Sequence, residues 1–288
     1  MKKTKIGIIG NGFVGNSIAF GFSPTHEIKV HDKDPKRNLN TLEEVLECDY
    51  IFVAVPTPMH EDGSISLHVV EKALQEISDN NKKRNNVIIL KSTMIPGSTN
   101  NFANQFPKLN IVFNPEFLTE RTAKLDFLTQ ARIILGGPKR LTKKVAKLFE
   151  DRFMHTYIIE TDTITAEMVK YMNNVYFASK VSIMNEMKQM CEAVGANWES
   201  ALKGFAADQR IGDSHLNVPG PDGKLGFGGS CFPKDINAFI SMANQLGVKI
   251  PTVEGAWETN LNVRPERDWE KLEGRAVVKS NNKLNTSH

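Results

Sequence analysis

The segment KIGIIGNGFVGNSIAFGF, residues 5–22, constrains the fold more than any other part of the chain. A short apolar run is followed by Gly10-x-Gly12-x-x-Gly15 and then by a helical pattern, and a second apolar run, EIKVHD, ends at Asp32. In such a unit Gly10 permits a tight turn, Gly12 lets a pyrophosphate approach the backbone, and Gly15 lets helix and strand pack closely. The order of these features predicts a βαβ unit of the dinucleotide-binding kind.

The acidic residue after the second strand indicates which dinucleotide fits. A carboxylate at Asp32 accepts hydrogen bonds from ribose hydroxyls and repels a 2′-phosphate, which favours NAD. Phe13 and Val14 open the helix whose N-terminal end would face the phosphates. Lys33 is a further candidate cofactor contact. Because Lys33 and Arg37 are cations near Asp32, a cofactor with a 2′-phosphate remains an alternative. A glycine turn that binds nothing would leave Asp32 without a role.

Further apolar runs alternate with amphipathic helical stretches through the first half: YIFVAVPTP, VIILKST, NIVFNPEF, ARIILGG and TYIIET. This alternation predicts an α/β, Rossmann-like, doubly wound parallel sheet. Ligands bind such sheets beyond the carboxyl ends of the strands. Three polar loops fall there, namely Pro56-Thr57-Pro58, Ser92-Thr93 and Asn114-Pro115-Glu116. Each alone could be a simple turn, whereas three on one rim indicate a site.

One long helical pattern covers residues 165–194, and Gly195 is expected to end it. Its apolar stripe is expected to be core filler; the stripe comprises Met168, Met172, Val175, Ile183, Met187, Met190 and Val194. Lys170 and Asn174 are four residues apart and share a face. Asn185 returns to nearly the same face three turns later. From spacing alone, a solvated polar face remains the alternative.

The second half is predicted to be helical, with helices in NWESALKGFAADQRIG, DINAFISMANQLG and VEGAWETNLNVR. The expected organisation is therefore a Rossmann-like domain over residues 1–162, a connecting helix over 163–195, a helical central domain over 196–268 and a polar tail over 269–288.

Composition and cysteine usage narrow the class of protein. The net charge of +3, from 36 basic and 33 acidic residues, gives no reason to expect a nucleic-acid or membrane partner. The start MKKTKIGIIG has too short an apolar run for a signal peptide and is expected to form the first strand. Three cysteines without a CxxC pair favour a reducing, cytoplasmic compartment and no structural metal. Cys48 and Cys191 are expected to be inert buried thiols.

Several motifs together resemble one family, the nucleotide-sugar 6-dehydrogenases that include the UDP-glucose and GDP-mannose dehydrogenases. They are GNGFVG, VAVPTP, KSTMIPGST, NPEFLTE, AEMVKYMNN, DQRIG and GFGGSCFPKD, in the family's order over roughly nine tenths of the chain. The resemblance implies that the C6 alcohol of a nucleotide sugar is oxidised to a carboxylate, with UDP-glucose as the first candidate substrate. It also implies a role in polysaccharide biosynthesis. Two NAD are reduced in turn through a thioester on the cysteine, and the enzyme is expected to be a homodimer through its long helix and central domain.

The chemistry of the cysteine loop suits that reaction. A thiolate at Cys231 would add to an aldehyde and give the tetrahedral carbon from which a second hydride can leave. A helix beginning near Pro233 would favour the thiolate at its N-terminal end. The surrounding glycines are expected to make the loop flexible, so that backbone and thiol can approach the ligand.

The resemblance also assigns roles to individual residues. Lys170 would bind the C6 oxygen with help from Asn174, and Asp235 would orient Lys170 or act on a water. Glu116 would be a general base, and Thr93 would place the hydrolytic water. The implied cofactor contacts beyond the glycine motif are Pro56, Thr57, Thr93, Glu120 and Lys234. The implied substrate contacts are Glu116, Phe117, Leu118, Lys170, Asn174, Arg210, Phe227 and Gly228.

Two departures from the family pattern accompany the resemblance. The segment between the second strand and YIFVAVPTP is short, and family members usually continue into a third, Rossmann-like domain over the substrate nucleotide. EGRAVVKS resembles the first strand of that domain, so residues 269–288 are interpreted as its remnant. Two alternatives stay open: a two-domain β-hydroxyacid dehydrogenase, and a non-catalytic NAD-binding subunit that needs a partner chain.

Overall fold

The computed structural model describes residues 4–279, and the statements below refer to this part of the chain. Two compact units are present: the first comprises Met1–Thr57 and Leu67–Lys170, and the second comprises Pro58–Ser66 and Tyr171–His288. The division therefore falls inside the long helix, at Lys170, within the segment 163–195 that the sequence analysis treats as a connecting helix.

The first unit is built on a seven-stranded sheet in the order β2-β1-β3-β4-β5-β6-β7. Its strands are β1 (Lys5–Ile9), β2 (Glu27–His31), β3 (Tyr50–Val53), β4 (Val87–Leu90), β5 (Asn110–Phe113), β6 (Arg132–Gly136) and β7 (Tyr157–Thr161). The predicted Rossmann-like α/β class is confirmed. One detail differs, because β6 runs antiparallel to β5, so that β6 and β7 oppose the other five strands. The connection between β5 and β6 thus begins and ends at one sheet edge and needs no crossover.

Six helices of the first unit cover both faces of the sheet: α1 (Phe13–Phe22), α2 (Leu42–Leu46), α3 (His68–Asn80), α4 (Ser98–Gln105), α5 (Ala123–Leu128) and α6 (Lys139–Glu150). Ile51 and Val53 belong to one apolar cluster, whereas Phe52 belongs to the other, as the alternation of side chains along a strand requires. A two-sided sheet of this kind explains why its strands read as continuous apolar runs.

The second unit is helical, as expected. It contains the greater part of α7 (Thr163–Ala193), then α8 (Trp198–Ala206), α9 (Phe232–Leu246), α10 (Pro251–Val263) and a short 3₁₀ helix (Asp268–Lys271). Gly195 follows α7 with φ +74°, the left-handed conformation that ends helices. Along residues 4–279 the helices are too short or too polar to cross a bilayer.

The apolar stripe of α7 is not the core that the sequence predicted. Its members Met172, Ile183, Met187, Met190 and Val194 are exposed, at 44% or more. Val175, also a member of the stripe, is buried as predicted, and the other buried apolar residues of the helix include Tyr171, Ala178 and Met184. Helical periodicity shows that an apolar face exists, but α7 has two, and spacing does not tell which one meets its own chain.

The expected polar tail from residue 269 is packed up to Val278. Trp269 and Ala276 are buried in a cluster with Met59. The Met59 N–H donates to the Ala276 carbonyl at 2.8 Å, and the Val278 N–H donates to the Met59 carbonyl at 2.9 Å. Apolar residues in DWEKLEGRAVV explain this packing, and residues 280–288 lie outside the described part.

Candidate functional site

In the glycine motif of the first unit, two glycines have no room for a side chain and the third has open space around it. Gly10 has φ +95°, and a Cβ there would lie 2.5 Å from the Ala54 carbonyl oxygen. A Cβ at Gly15 would lie 1.9 Å from the Gly10 oxygen, whereas a Cβ at Gly12 would meet no atom within 4 Å. Gly12 directly precedes α1, whose first residues are Phe13 and Val14. Open space at the N-terminal end of this helix fits the phosphates of NAD.

Asp32 lies against the same loop. Its two carboxylate oxygens accept from the backbone N–H groups of Asn11, at 2.6 Å, and Asp34, at 2.8 Å. The side-chain oxygen of Asn11 is buried without a hydrogen-bond partner in the structure. Lys33 is exposed, and Arg37 pairs with Asp34 at 3.6 Å. The sequence motif did not single out Asn11, although it occupies the first variable position of GNGFVG.

The loops after β3, β4 and β5 share one sheet edge, because these three strands run parallel. The Thr57 hydroxyl donates to the Thr93 carbonyl at 2.8 Å, and the Ser92 hydroxyl donates to the Val55 carbonyl at 2.6 Å. Thr57 and Thr93 are buried, whereas Pro56, which directly precedes Thr57, is exposed. The first two polar loops are thus tied to each other at the edge where ligands of such sheets bind.

Glu116 and Lys170 form a buried ion pair. The Lys170 ammonium lies 3.0 Å from Glu116 Oε1 and donates to the Glu116 carbonyl at 2.6 Å. Glu116 Oε2 accepts from the Leu118 N–H at 2.7 Å. The Phe117 ring lies beneath two cations, with Arg132 at 4.5 Å and Lys170 at 5.5 Å from its centre. A base and a cation predicted separately therefore sit side by side in the first unit, while Glu120 is exposed in the same loop.

Lys91 is a buried amine that the sequence analysis missed. It follows β4, and its ammonium donates to Asn114 Oδ1 at 2.9 Å and to the Pro115 carbonyl at 3.3 Å. Burial lowers its pKa to about 7, the Glu116 carboxylate opposes that change, and the Lys170 charge adds to it. The signal available in the sequence was its position directly after a buried strand, at the start of KSTMIPGST.

A cavity of about 140 Å³ adjoins this group of charged residues. Its lining comprises Lys91, Glu116, Phe117, Leu118, Asp126, Phe127, Gln130, Ala131 and Arg132. It is large enough for water molecules and offers them several polar partners.

Cys231 caps the N-terminal end of α9 in the second unit. It is partly exposed, and its carbonyl accepts from the Asp235 N–H at 2.8 Å. The Ser230 hydroxyl lies 3.8 Å from its sulfur. The thiol thus stands where the unsatisfied N–H groups of a helix favour a negative charge.

Asp235, one turn into α9, holds two polar side chains. Its Oδ2 accepts from the Asn174 amide at 2.6 Å, and its Oδ1 pairs with the Lys234 ammonium. All three side chains are buried. In the structure Asp235 binds Asn174, and Lys234 is its ion-pair partner. The predicted roles of Asp235 toward Lys170 or a water, and of Lys234 toward the cofactor, stay predictions.

The remaining predicted residues divide between surface and interior. Arg210 is exposed and pairs with Asp208. The Phe227 ring is buried in the apolar cluster of Ile236 and Ala256, so it is an internal anchor of the cysteine loop. Gly228 lies in the same loop.

The other two cysteines differ from each other. Cys48 is buried as expected, and burial raises its pKa to about 11. Cys191 is partly exposed, so the expectation that it is buried was wrong. Residues 4–279 contain no cluster of three His, Cys, Asp or Glu side chains able to hold a metal ion.

Comparison with known proteins places this geometry in a family. Residues 164–262 match the central domain of the UDP-glucose/GDP-mannose dehydrogenase family, and residues 36–153 match its NAD-binding domain. A UDP-glucose 6-dehydrogenase of Haloferax volcanii is 30% identical over 94% of this chain and 72% of its own length. A UDP-glucose 6-dehydrogenase of Rickettsia felis is 35% identical over 80% of this chain, which spans 51% of that relative.

A solved structure agrees with the sequence matches. A UDP-glucose dehydrogenase from Pyrobaculum islandicum superposes with a TM-score of 0.81 at 26% identity, over 94% of this chain and 71% of that one. The matched NAD-binding domain identifies the cofactor of this fold as NAD. The chain belongs to the UDP-glucose/GDP-mannose dehydrogenase family.

Proposed function

We propose that this chain oxidises the C6 primary alcohol of a nucleotide sugar, UDP-glucose, to the uronic acid. The observation that carries the proposal is Cys231 at the N-terminal end of α9, because a single alcohol oxidation needs no thiol. The overall reaction converts one alcohol, one water and two NAD⁺ into one carboxylate, two NADH and three protons. NAD, when bound, supplies the acceptor for each hydride.

The first oxidation would use the buried pair of the first unit. Lys170 would stabilise negative charge on the C6 oxygen while Glu116 accepts the hydroxyl proton, and loss of hydride gives the aldehyde. Their separation of 3.0 Å lets one proton acceptor and one cation serve the same oxygen. The Asn174 amide, fixed by Asp235, would donate to that oxygen as well.

The second oxidation would pass through the thiol. The thiolate of Cys231 would add to the aldehyde carbon, and the resulting thiohemiacetal would lose a hydride to become a thioester. Glu116 would then take a proton from a water positioned by Thr93, and hydroxide attack would release the carboxylate and the thiol. Glu116 thus acts twice, once on the alcohol and once on the water, and it releases the first proton to solvent between the two steps.

The exposed apolar face of α7 supports a homodimer. Met172, Ile183, Met187 and Met190 recur at coiled-coil-like spacing and are 44% exposed or more in the single chain. A second copy of the same helix would cover them. Cytoplasmic localisation and a role in polysaccharide biosynthesis complete the proposal, since nucleotide sugars are cytoplasmic precursors of such polymers.

The proposal is tested by incubating the protein with NAD and UDP-glucose, GDP-mannose and an N-acetylhexosamine nucleotide. We expect NADH with UDP-glucose and a carboxylate product identified by mass spectrometry, and Glu116→Gln should abolish both. Activity on 3-hydroxy acids, with one NADH for each substrate, would instead support a β-hydroxyacid dehydrogenase. NAD binding without sugar oxidation until a partner chain is added would indicate a non-catalytic subunit.

A further inference from the structure

The backbone that leads to Cys231 is held in place by side chains from distant parts of the second unit. Gly226, Phe227 and Gly229 each donate a backbone N–H to a side-chain oxygen. The four side chains that hold this segment are Asn185 of α7, Asn260 and Arg264 at the end of α10, and Asp268 of the 3₁₀ helix, and we call them the clamp.

The two asparagines of the clamp form hydrogen bonds with the backbone of Gly226 and Phe227. Asn260 accepts from the Phe227 N–H at 2.7 Å and donates to the Phe227 carbonyl at 3.1 Å. Asn185 accepts from the Gly226 N–H at 3.2 Å and donates to the Val181 carbonyl of its own helix at 2.8 Å. Both asparagines are buried, so water cannot readily substitute for these bonds.

The charged part of the clamp is equally specific. Arg264, with 3% of its side chain exposed, pairs with Asp222 at 2.7 Å and with Asp268 at 2.6 Å. It also donates to the Leu225 carbonyl at 3.2 Å, and the second oxygen of Asp268 accepts from the Gly229 N–H at 3.0 Å. The buried guanidinium of Arg264 is therefore paired with two carboxylates, one on each side of the segment. Removal of Arg264 or of one carboxylate would leave a charge without its partner.

Two glycines of the segment, Gly226 and Gly228, are required by this contact. A Cβ at Gly226, where φ is +64°, would lie 2.4 Å from Asn260 Oδ1. A Cβ at Gly228 would lie 2.3 Å from Asp268 Oδ1 and 2.5 Å from Arg264 Nη2. Gly226 and Gly228 thus let side chains close on the backbone, a reason for glycine other than the predicted loop flexibility.

We propose that Asn185, Asn260, Arg264 and Asp268 are positioning residues that fix the thiol of Cys231 for its attack on the aldehyde. Cys231 lies two residues beyond Gly229, whose N–H is bound by Asp268, so displacement of the segment displaces the start of α9. Misplacement of a reacting group by about 1 Å can reduce a rate by roughly 100-fold. The assignment rests on the proposed function only in naming the aldehyde as the target of the thiol.

Three variants and one matched control test the clamp. Asp268→Asn keeps the shape of a residue whose side chain is 30% exposed, Arg264→Lys keeps the charge, and Asn260→Ala removes both bonds to Phe227. The control is Thr259→Ala, because Thr259 also lies on α10 but its hydroxyl binds the exposed Glu186. Each protein is compared at temperatures where circular dichroism shows it folded.

Two measurements need no substrate. We expect amide hydrogen exchange at Phe227 and Gly229 to be about tenfold faster or more in the variants, since their acceptors are lost or displaced. The rate of Cys231 alkylation by iodoacetamide, scored by peptide mass spectrometry, should change about fivefold or more. Thr259→Ala should match the wild type in both, and unchanged exchange and alkylation in all three variants would overturn the clamp.

The third measurement is NADH formed for each UDP-glucose consumed, with released aldehyde trapped. We expect the second oxidation to slow by about 10- to 100-fold, so that the ratio falls from two toward one while the Kd for NAD stays unchanged. Faster exchange with an unchanged ratio would overturn the positioning role. If the wild type oxidises no nucleotide sugar but exchange and alkylation change as expected, the proposed function fails and control of the thiol by the clamp stands.

Discussion

Two glycine-rich segments of this protein have opposite surroundings. In residues 10–15 the position predicted to face the cofactor, Gly12, would have no atom within 4 Å of a Cβ. In residues 226–229 a Cβ at Gly226 or Gly228 would collide with the protein's own polar side chains. Glycine is thus needed for different reasons in the two segments. In the first it leaves room for a cofactor, and in the second it leaves room for the side chains of the clamp. Glycine enrichment alone does not distinguish an open loop from an immobilised one.

The sharpest test of the first segment pairs two substitutions. Gly15→Ala places a methyl group 1.9 Å from the Gly10 oxygen and should lower the free energy of unfolding by about 1–3 kcal/mol or more. Gly12→Ala should stay within about 0.5 kcal/mol of the wild type but raise the Kd for NAD about tenfold, because only the ligand needs the space. Urea denaturation and NAD titration measure the two effects. Unchanged NAD affinity in Gly12→Ala would show that the open space is not the cofactor site.

The second segment should respond in the reverse way. Gly228→Ala forces a methyl group against Arg264 and Asp268 and should cost about 1–3 kcal/mol in the free energy of unfolding, with NAD affinity unchanged. Its control is Gly204→Ala in α8, where the Cβ meets no atom within 4 Å and alanine should stabilise the helix by up to about 1 kcal/mol. Urea denaturation of both proteins checks this, and equal stability of the two variants would contradict a filled loop.

The two units should also differ in how their stability depends on pH, and we expect the larger effect from Lys91 in the first unit. Burial lowers its pKa to about 7. Between that value and its ordinary pKa of 10.5, the unfolded chain binds more protons than the folded one, so the contribution of Lys91 to stability rises with pH. The free energy of unfolding of the wild type minus that of Lys91→Met should increase by roughly 1.4 kcal/mol per pH unit above pH 7. A difference independent of pH would show that Lys91 stays charged beside Glu116 and Lys170.

The clamp of the second unit should weaken in acid instead. Burial alone would raise the pKa values of Asp222 and Asp268, but hydrogen bonds from Arg264 and backbone N–H groups lower both pKa values on balance. Their stabilisation is complete above the ordinary aspartate pKa and is lost as pH falls through the lowered values. Hydrogen exchange in residues 226–229, corrected for the intrinsic rate, should therefore accelerate on acidification from about pH 5 to pH 3 more than exchange in α1. Asp268→Asn should reduce that acceleration.

The sequence was sufficient for the features that depend on local order. Apolar runs and glycine spacing located the strands from Lys5 to Thr161, and the helix predicted to begin near Pro233 begins at Phe232. Both signals are contained within a few tens of residues, where periodicity and turn chemistry act directly.

What the sequence did not reveal depends on contacts between distant residues. Asn260 meets Phe227 across 33 positions, and Lys170 meets Glu116 across 54. No spacing rule links such pairs, so the clamp and the ion pair emerged only from the folded structure. The exposed stripe of α7 was misassigned for a related reason, since a helix with two apolar faces does not show in its sequence which face packs internally.

The most direct test of the whole account is the number of NADH formed for each UDP-glucose in Cys231→Ser. The expected result is one NADH with release of the aldehyde, because serine does not supply the thiolate that makes a second hydride available. Cys191→Ser, a change at a partly exposed thiol, should keep the wild-type ratio of two. A ratio of two in Cys231→Ser would contradict the thioester route and, with it, the reason for holding the glycine segment so closely.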